Sequence, residues 1–153
     1  MAELAHVWRA CGDDAYGCAV KLLILTGQRR DEIGGLRWDE VRDDMILLPS
    51  DRTKNKRPHV VPLSAPALAI IAARPRTSEF VFDKVSWGYG KLLLDDGLAA
   101  AGMKLEKWIQ HDLRRSAATG MAEIGVAPHI IEAVYYHFHI RVTWLCRGMR
   151  LWI

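Results

Sequence analysis

Two short β-prone runs, residues 45–48 and 59–63, stand between segments with helical patterns, and this order constrains the fold most. The charged stretch between them contains Asn55 and Pro58, so the runs predict an antiparallel hairpin with a basic tip. Residues 80–82 are predicted as a third strand or an extended segment. Helices are predicted over residues 2–10, 15–25, a short stretch from 28, 67–73, 86–101, 111–124 and 128–134. The predicted class is α+β, predominantly α-helical, with a small antiparallel β-sheet.

The length and composition are those of one globular domain. The chain has 153 residues, of which 50% are hydrophobic and 25% charged, and this balance excludes global disorder. The apolar runs fall well short of the roughly 20 residues that a membrane span needs, so no membrane partner is expected. Three cysteines without a CxxC pair, and no signal-peptide pattern, favour a cytoplasmic protein.

The net charge of +3 is unevenly distributed. Residues 138–153 contain three arginines and no acid, so residues 1–137 balance to zero. Within that neutral part, residues 51–59 contain one acid, Asp51, and four basic side chains, which are Arg52, Lys54, Lys56 and Arg57. This local patch is either an anion-binding surface or a solvated hairpin tip.

Two arginine pairs lie at predicted helix beginnings, Arg29-Arg30 and Arg114-Arg115. Cations are unfavourable there because a helix N-terminus carries partial positive charge, unless an anion such as phosphate compensates. The simpler interpretation is that Arg29 pairs with Glu32 and that Arg115 faces water. His111 lies three residues before Arg114, so both are predicted on one helix face. Because Arg29 and Arg114 lie at polar helix starts, Arg29→Ala and Arg114→Ala are expected to leave the fold nearly intact. The apolar stripe of the predicted helix over 111–124 is expected to hold Leu113, Ala117, Met121 and Ile124.

Four segments in a fixed order carry a family resemblance. They are TGQRRDEI at 26–33, TKNKR at 53–57 followed by VPLS at 61–64, HDLRRS at 111–116, and EAVYYH at 132–137. Together they resemble the arginine box, hairpin lysine, His-x-x-Arg box and final histidine helix of the tyrosine recombinase, or phage integrase, family. One box alone would be weak support, whereas four in order make the resemblance specific.

This resemblance implies site-specific DNA recombination or integration without a metal or other cofactor. A tyrosine would attack a phosphodiester of duplex DNA and form a covalent 3′-phosphotyrosyl bond. Arg29 and Arg114 are expected on the phosphate, because guanidinium groups are planar, permanently charged donors. Lys54 is expected to protonate the departing 5′ oxygen, while His111 and His137 hydrogen-bond the phosphate and assist proton transfer.

The remaining polar residues of the four segments receive supporting roles. Arg30, Lys56, Arg57 and Arg115 are expected to contact DNA, and Glu32 is expected to support Arg29. The pattern His137-x-His139 with distant Cys146 has poor zinc spacing, so no metal site is predicted. Self-association on DNA is left open.

The nucleophile is not identified. Residues 138–153 contain no tyrosine, and Tyr135 and Tyr136 stand where the family commonly has a leucine and a small residue. We therefore predict a catalytic domain over residues 1–137, without the family's N-terminal core-binding domain, and an atypical basic and apolar tail over 138–153. The tail is consistent with a frameshift, a truncation or divergence. The alternatives are a non-catalytic DNA-binding remnant and, less favoured, a type IB topoisomerase-like enzyme.

Overall fold

The computed structural model describes residues 2–103 and 105–136, which form seven α-helices, one short 3₁₀ helix (Trp38–Glu40) and three strands. The helices are α1 (Ala2–Ala10), α2 (Ala15–Thr26), α3 (Arg30–Gly34), α4 (Ala65–Ala72), α5 (Trp87–Ala100), α6 (Gln110–Glu123) and α7 (Pro128–Tyr136). The strands are β1 (Val41–Arg42), β2 (Met45–Leu48) and β3 (His59–Pro62). None of these helices is long and apolar enough to cross a membrane. The predictions for His137 and for residues 138–153 lie outside the described residues.

The predicted hairpin is confirmed as β2 and β3. These strands pair antiparallel with Ile46 opposite Val61, and both residues are buried because alternate side chains of a strand share one face. The third strand is β1, which pairs with β2 after a tight turn in which Asp43 adopts a left-handed φ of 49°. Of the two alternatives predicted for residues 80–82, the structure has no third strand there, because Phe80 makes only an isolated bridge to Arg37.

Helix α2 lies at the centre of the helical part and packs against α3, α4, α5 and α6. Its N-terminus is capped by the Asp14 carboxylate, which accepts hydrogen bonds from the backbone N–H groups of Tyr16 and Gly17. It ends at Gly27, whose φ of 63° suits a residue without a side chain. Eight of its twelve residues are buried, so the helix fixes the position of the turn that follows it.

The other predicted helices are present with small shifts at their ends. Helix α4 begins at Ala65 because Pro66 fits the first turn, and α3 begins at Arg30, two residues later than expected. The prediction that Ile124 lies on the buried stripe of α6 is wrong. It follows the end of that helix and is 54% exposed.

Two glycines of α5 provide a matched test of how this helix packs. A Cβ on Gly90 would overlap the buried ring of Tyr16, whereas a Cβ on Gly97 would meet nothing within 4 Å. We expect Gly97→Ala to stabilise the fold by about 0.5–1 kcal/mol, because alanine loses less backbone entropy in a helix. Gly90→Ala should destabilise it by about 1–3 kcal/mol through overpacking. Urea denaturation measures both, and equal effects would contradict the packing of α5 on α2.

Candidate functional site

Arg114 is a buried arginine that joins three parts of the chain. Its Nη1 donates to the backbone carbonyl of Gly27 at 2.7 Å, and its Nη2 donates to the carbonyl of Tyr135 at 2.6 Å. The residue is only 8% exposed. Burying a charge is costly unless it is well hydrogen-bonded, so these contacts fix the guanidinium in one place. The bond to Gly27 brings α6 to the C-terminal end of α2.

Tyr135 holds Arg114 from a second direction. Its hydroxyl donates to the backbone carbonyl of Arg114 at 2.9 Å, and its ring centre lies 4.1 Å from the Arg114 Cζ. Burial raises the pKa of the Tyr135 phenol to about 12, although the nearby charge of Arg114 opposes this change. A Cβ on Gly27 would lie 2.6 Å from the Tyr135 hydroxyl oxygen, so the glycine makes room for this ring.

Arg29 lies two residues after Gly27 and begins α3. Its Nη1 pairs with Glu32 Oε1 at 2.9 Å, and its backbone N–H donates to Glu32 Oε2 at 3.0 Å. Glu32 is buried at 3% exposure, so its two oxygens orient both the side chain and the backbone of Arg29. The i,i+3 pair anticipated from the sequence is present. The two arginine segments, 85 positions apart between Arg29 and Arg114, therefore meet around the turn that follows α2.

Gln28, between Gly27 and Arg29, ties the same turn to α7. Its buried side-chain Nε2 donates to the carbonyls of Thr26 at 3.0 Å and Val134 at 3.3 Å. The turn after α2 is thus bonded to α6 through Arg114 and to α7 through Gln28. Sequence reasoning passed over Gln28 because its long-range partner lies 106 positions away.

The remaining candidate residues within the described part of the chain are exposed. Lys54, Lys56 and Arg57 lie in the loop between β2 and β3, and Lys56 adopts a left-handed φ of 54°. His111 is the second residue of α6, and its side chain is exposed whereas that of Arg114 is buried.

Two further cations form exposed pairs with neighbouring carboxylates. Arg30 pairs with Asp31 at 2.9 Å, and Arg115 pairs with Asp112 at 3.2 Å. Both side chains remain on the surface. In the part of the chain that the structure describes, no three His, Cys, Asp or Glu side chains come together in a way that would hold a metal ion.

The burial of Arg114 corrects one expectation. An arginine at a polar helix start, off the apolar stripe of α6, should be replaceable with the fold nearly intact. The structure instead shows that its removal would leave the Gly27 and Tyr135 carbonyls without these donors. Such losses cost about 1–3 kcal/mol for each buried group left unbonded. Arg114 is therefore part of the core as well as of the site.

Comparison of the sequence with known proteins finds a family and two curated relatives. The profile of the phage integrase family matches residues 3–145, eight positions beyond His137. Prophage integrase IntA of Escherichia coli K12 is 33% identical over 146 residues, which cover 90% of this chain and 35% of IntA. Prophage integrase IntZ of the same strain is 42% identical over 90 residues, covering 54% of this chain and 22% of IntZ. The chain thus spans about a third or less of these relatives.

Solved structures resemble the fold. The lambda integrase catalytic core aligns with a TM-score of 0.70 at 16% identity and covers 91% of this chain and 90% of that core. The XerA recombinase aligns with a TM-score of 0.68 at 17% identity over 88% of this chain and 52% of XerA. At these identities the likeness concerns the fold, and it confirms the predicted α+β class.

The hydroxyl of Tyr135 gives a test of the Arg114 contacts. We expect Tyr135→Phe to lower the free energy of unfolding at pH 7 by about 1 kcal/mol, because one buried hydrogen bond is lost. The pKa of Tyr135 is raised from 10.0 to about 12. Stability from the protonated phenol is therefore complete below pH 10 and is lost as the pH rises through 12.

The wild type should accordingly lose its stability advantage over Tyr135→Phe as the pH rises above 10 toward 12. Urea denaturation of wild type and Tyr135→Phe over this range measures the difference. Tyr16 and Cys11 are present in both proteins, so their contributions to the pH dependence of stability cancel in the comparison. A stability difference that stays constant with pH would show that the hydroxyl is not held as described.

Proposed function

Because the chain belongs to the phage integrase family, we propose that it forms the catalytic part of a site-specific recombinase that breaks and rejoins duplex DNA. The observation that carries this proposal is the bond from the Arg114 guanidinium to the Gly27 carbonyl. It supports a common site for the two arginines, whose segments are far apart in sequence. We propose that residues 1–137 constitute this catalytic domain.

In the proposed reaction, Arg29 and Arg114 bind the scissile phosphate. Negative charge grows on the phosphate oxygens as the phosphorus becomes five-coordinate, and fixed cationic donors stabilise that charge best. Glu32 orients Arg29, while the Gly27 and Tyr135 carbonyls orient Arg114. Because these guanidinium groups are already oriented by the protein, little reorganisation is needed when DNA arrives.

Lys54 and His111 act at the exposed side of the proposed site. An ammonium group is a proton donor that a guanidinium cannot replace, so Lys54 is assigned to protonate the leaving 5′ oxygen. His111, exposed at the start of α6, and His137 are assigned to hydrogen-bond the phosphate. Arg30, Lys56, Arg57 and Arg115 are assigned to neighbouring phosphates of the DNA backbone, since exposed cations suit such contacts.

The proposed partner is duplex DNA, with self-association on that DNA. A lambda integrase dimer bound to a core site and a lambda integrase tetramer bound to a Holliday junction are among the structures that share this fold. Both curated relatives are prophage integrases, which supports a bacterial or phage origin, and we place the protein in the cytoplasm where it would meet its DNA.

The attacking tyrosine is not Tyr135 in this proposal. A nucleophile must approach the phosphorus in line, with its hydroxyl close to the phosphate. The Tyr135 hydroxyl instead donates to the Arg114 carbonyl inside the protein, and its raised pKa disfavours the phenolate. Tyr16 is also buried. The role of Tyr135 is to position Arg114.

Salt dependence of DNA binding tests the proposed partner. We expect a duplex of about 30 base pairs to bind with a dissociation constant of about 10⁻⁴–10⁻⁶ M, the range of non-specific complexes. Affinity should fall steeply with salt, because each contacted phosphate adds about 0.9 to the slope of log K against log salt. Arg29→Gln should reduce that slope, whereas Arg76→Gln, remote from these segments in sequence, serves as a charge-matched control. A flat salt titration would contradict DNA binding.

Cleavage is tested separately with a duplex nicked beside the scissile phosphate. We expect the 153-residue chain to bind this substrate without forming a covalent adduct, because residues 138–153 supply no tyrosine. Denaturing gel electrophoresis followed by mass spectrometry measures the outcome. An adduct on Tyr135 would contradict its positioning role, and an adduct on Tyr136 or Tyr89 would identify the nucleophile in this chain.

A further inference from the structure

Arg52 does not belong to the exposed basic tip in which the sequence places it. Its Nε donates to Glu40 Oε1 at 3.0 Å and its Nη2 donates to the backbone carbonyl of Glu32 at 3.0 Å. The Nη2 atom also lies 3.4 Å from Glu40 Oε2. Arg52 thereby connects the loop between β2 and β3 to α3, at the residue whose carboxylate holds Arg29.

The surroundings of Arg52 are shaped to receive it. Glu40 is buried, and its Oε2 also accepts the backbone N–H of Arg37 at 2.9 Å, so the carboxylate is fixed before Arg52 binds it. A Cβ on Gly35 would lie 2.6 Å from Arg52 Nη1, so the guanidinium passes over α3 only because this position lacks a side chain. Lysine cannot replace this arrangement, because a single ammonium group lacks the planar fork of donors.

Thr53, the next residue, continues the connection toward Lys54. It is 2% exposed, and its hydroxyl donates to the carbonyl of Arg57 at 2.7 Å and lies 3.2 Å from the carbonyl of Ser50. The same hydroxyl accepts the backbone N–H of Arg57 at 3.1 Å, and the Thr53 carbonyl accepts that of Lys56. Lys54 is therefore the first exposed residue after two that are bonded into the protein.

We propose that Arg52 is a positioning residue that sets where Lys54 stands relative to Arg29. The inference rests on the function proposed above, because it concerns the same DNA site. The continuous connection runs from Arg29 through Glu32 to Arg52, and then through Thr53 to Lys54. The loop that carries Lys54 is then held in a fixed position relative to Arg29, so the proton donor and the phosphate ligand keep a constant separation.

Hydrogen exchange on the full chain, measured without DNA, tests whether Arg52 holds the loop between β2 and β3. Arg52→Lys keeps the charge but loses the fork, and Gly35→Ala displaces Arg52 without changing any charge. Either variant should speed exchange of the Lys56 and Arg57 amides by at least about tenfold, since their bonds to Thr53 open more often. Exchange in α2 should stay unchanged. Arg37→Lys is the matched control, because Arg37 pairs with the exposed carboxylates of Asp39 and Glu79.

DNA binding tests the consequence for Lys54. In the wild type, Lys54→Ala should weaken binding of a short duplex at least threefold and lower the salt slope by about 0.9. In the Arg52→Lys or Gly35→Ala background the same substitution should change binding less than about 1.5-fold, because coupled residues are not additive. The Arg37→Lys background should retain the full effect.

Three results would overturn the inference. The first is unchanged exchange of the loop amides in both variants. The second is an equal effect of Lys54→Ala in every background, which would make Arg52 at most an independent charge. The third is a wild type that binds DNA and loses nothing on Lys54→Ala. A wild type that does not bind DNA refutes the proposed function instead, and the exchange experiment still decides whether Arg52 holds the loop.

Discussion

The buried charge of Arg114 is the constraint on which the site depends. An arginine at 8% exposure is stable only with strong hydrogen-bond acceptors, and the chain supplies the carbonyls of Gly27 and Tyr135. Each acceptor belongs to a different segment, so satisfying this one side chain brings together the end of α2, the second turn of α6 and the end of α7. The geometry of the proposed phosphate site and the packing of the domain are consequently one set of contacts.

Gly27 has three separate structural roles in the turn after α2. Its left-handed φ of 63° ends α2, its carbonyl accepts from Arg114, and its missing Cβ leaves room for the Tyr135 hydroxyl. Any other residue would strain the backbone and overlap the tyrosine. Because Arg29 follows two positions later, a shift of this turn would move both proposed phosphate ligands together.

Local patterns in the sequence predicted most of the fold and part of the site. The hairpin follows from two β-prone runs, the helices from their apolar spacing, and the Arg29–Glu32 pair from i,i+3 spacing. Tyr135 and Arg52 were not foreseen as structural partners, because their contacts join residues about 20 positions apart that no local periodicity relates. Strand β1 was missed for a similar reason, since only two residues and a left-handed Asp43 create it.

Six of the described cations fall into two physical groups. Arg29, Arg52 and Arg114 are held by carboxylates or carbonyls of the protein, whereas Lys54, Lys56 and Arg57 project from one loop into solvent. Ordering long side chains on a nucleic acid costs conformational entropy, and the cost is greater when the loop beneath them must also be ordered. The bonds of Arg52 and Thr53 fix that loop in the folded protein itself. The remaining cost on binding is then mainly that of the exposed side chains, which leaves Lys54 free to adjust its ammonium group to the oxygen that it would protonate.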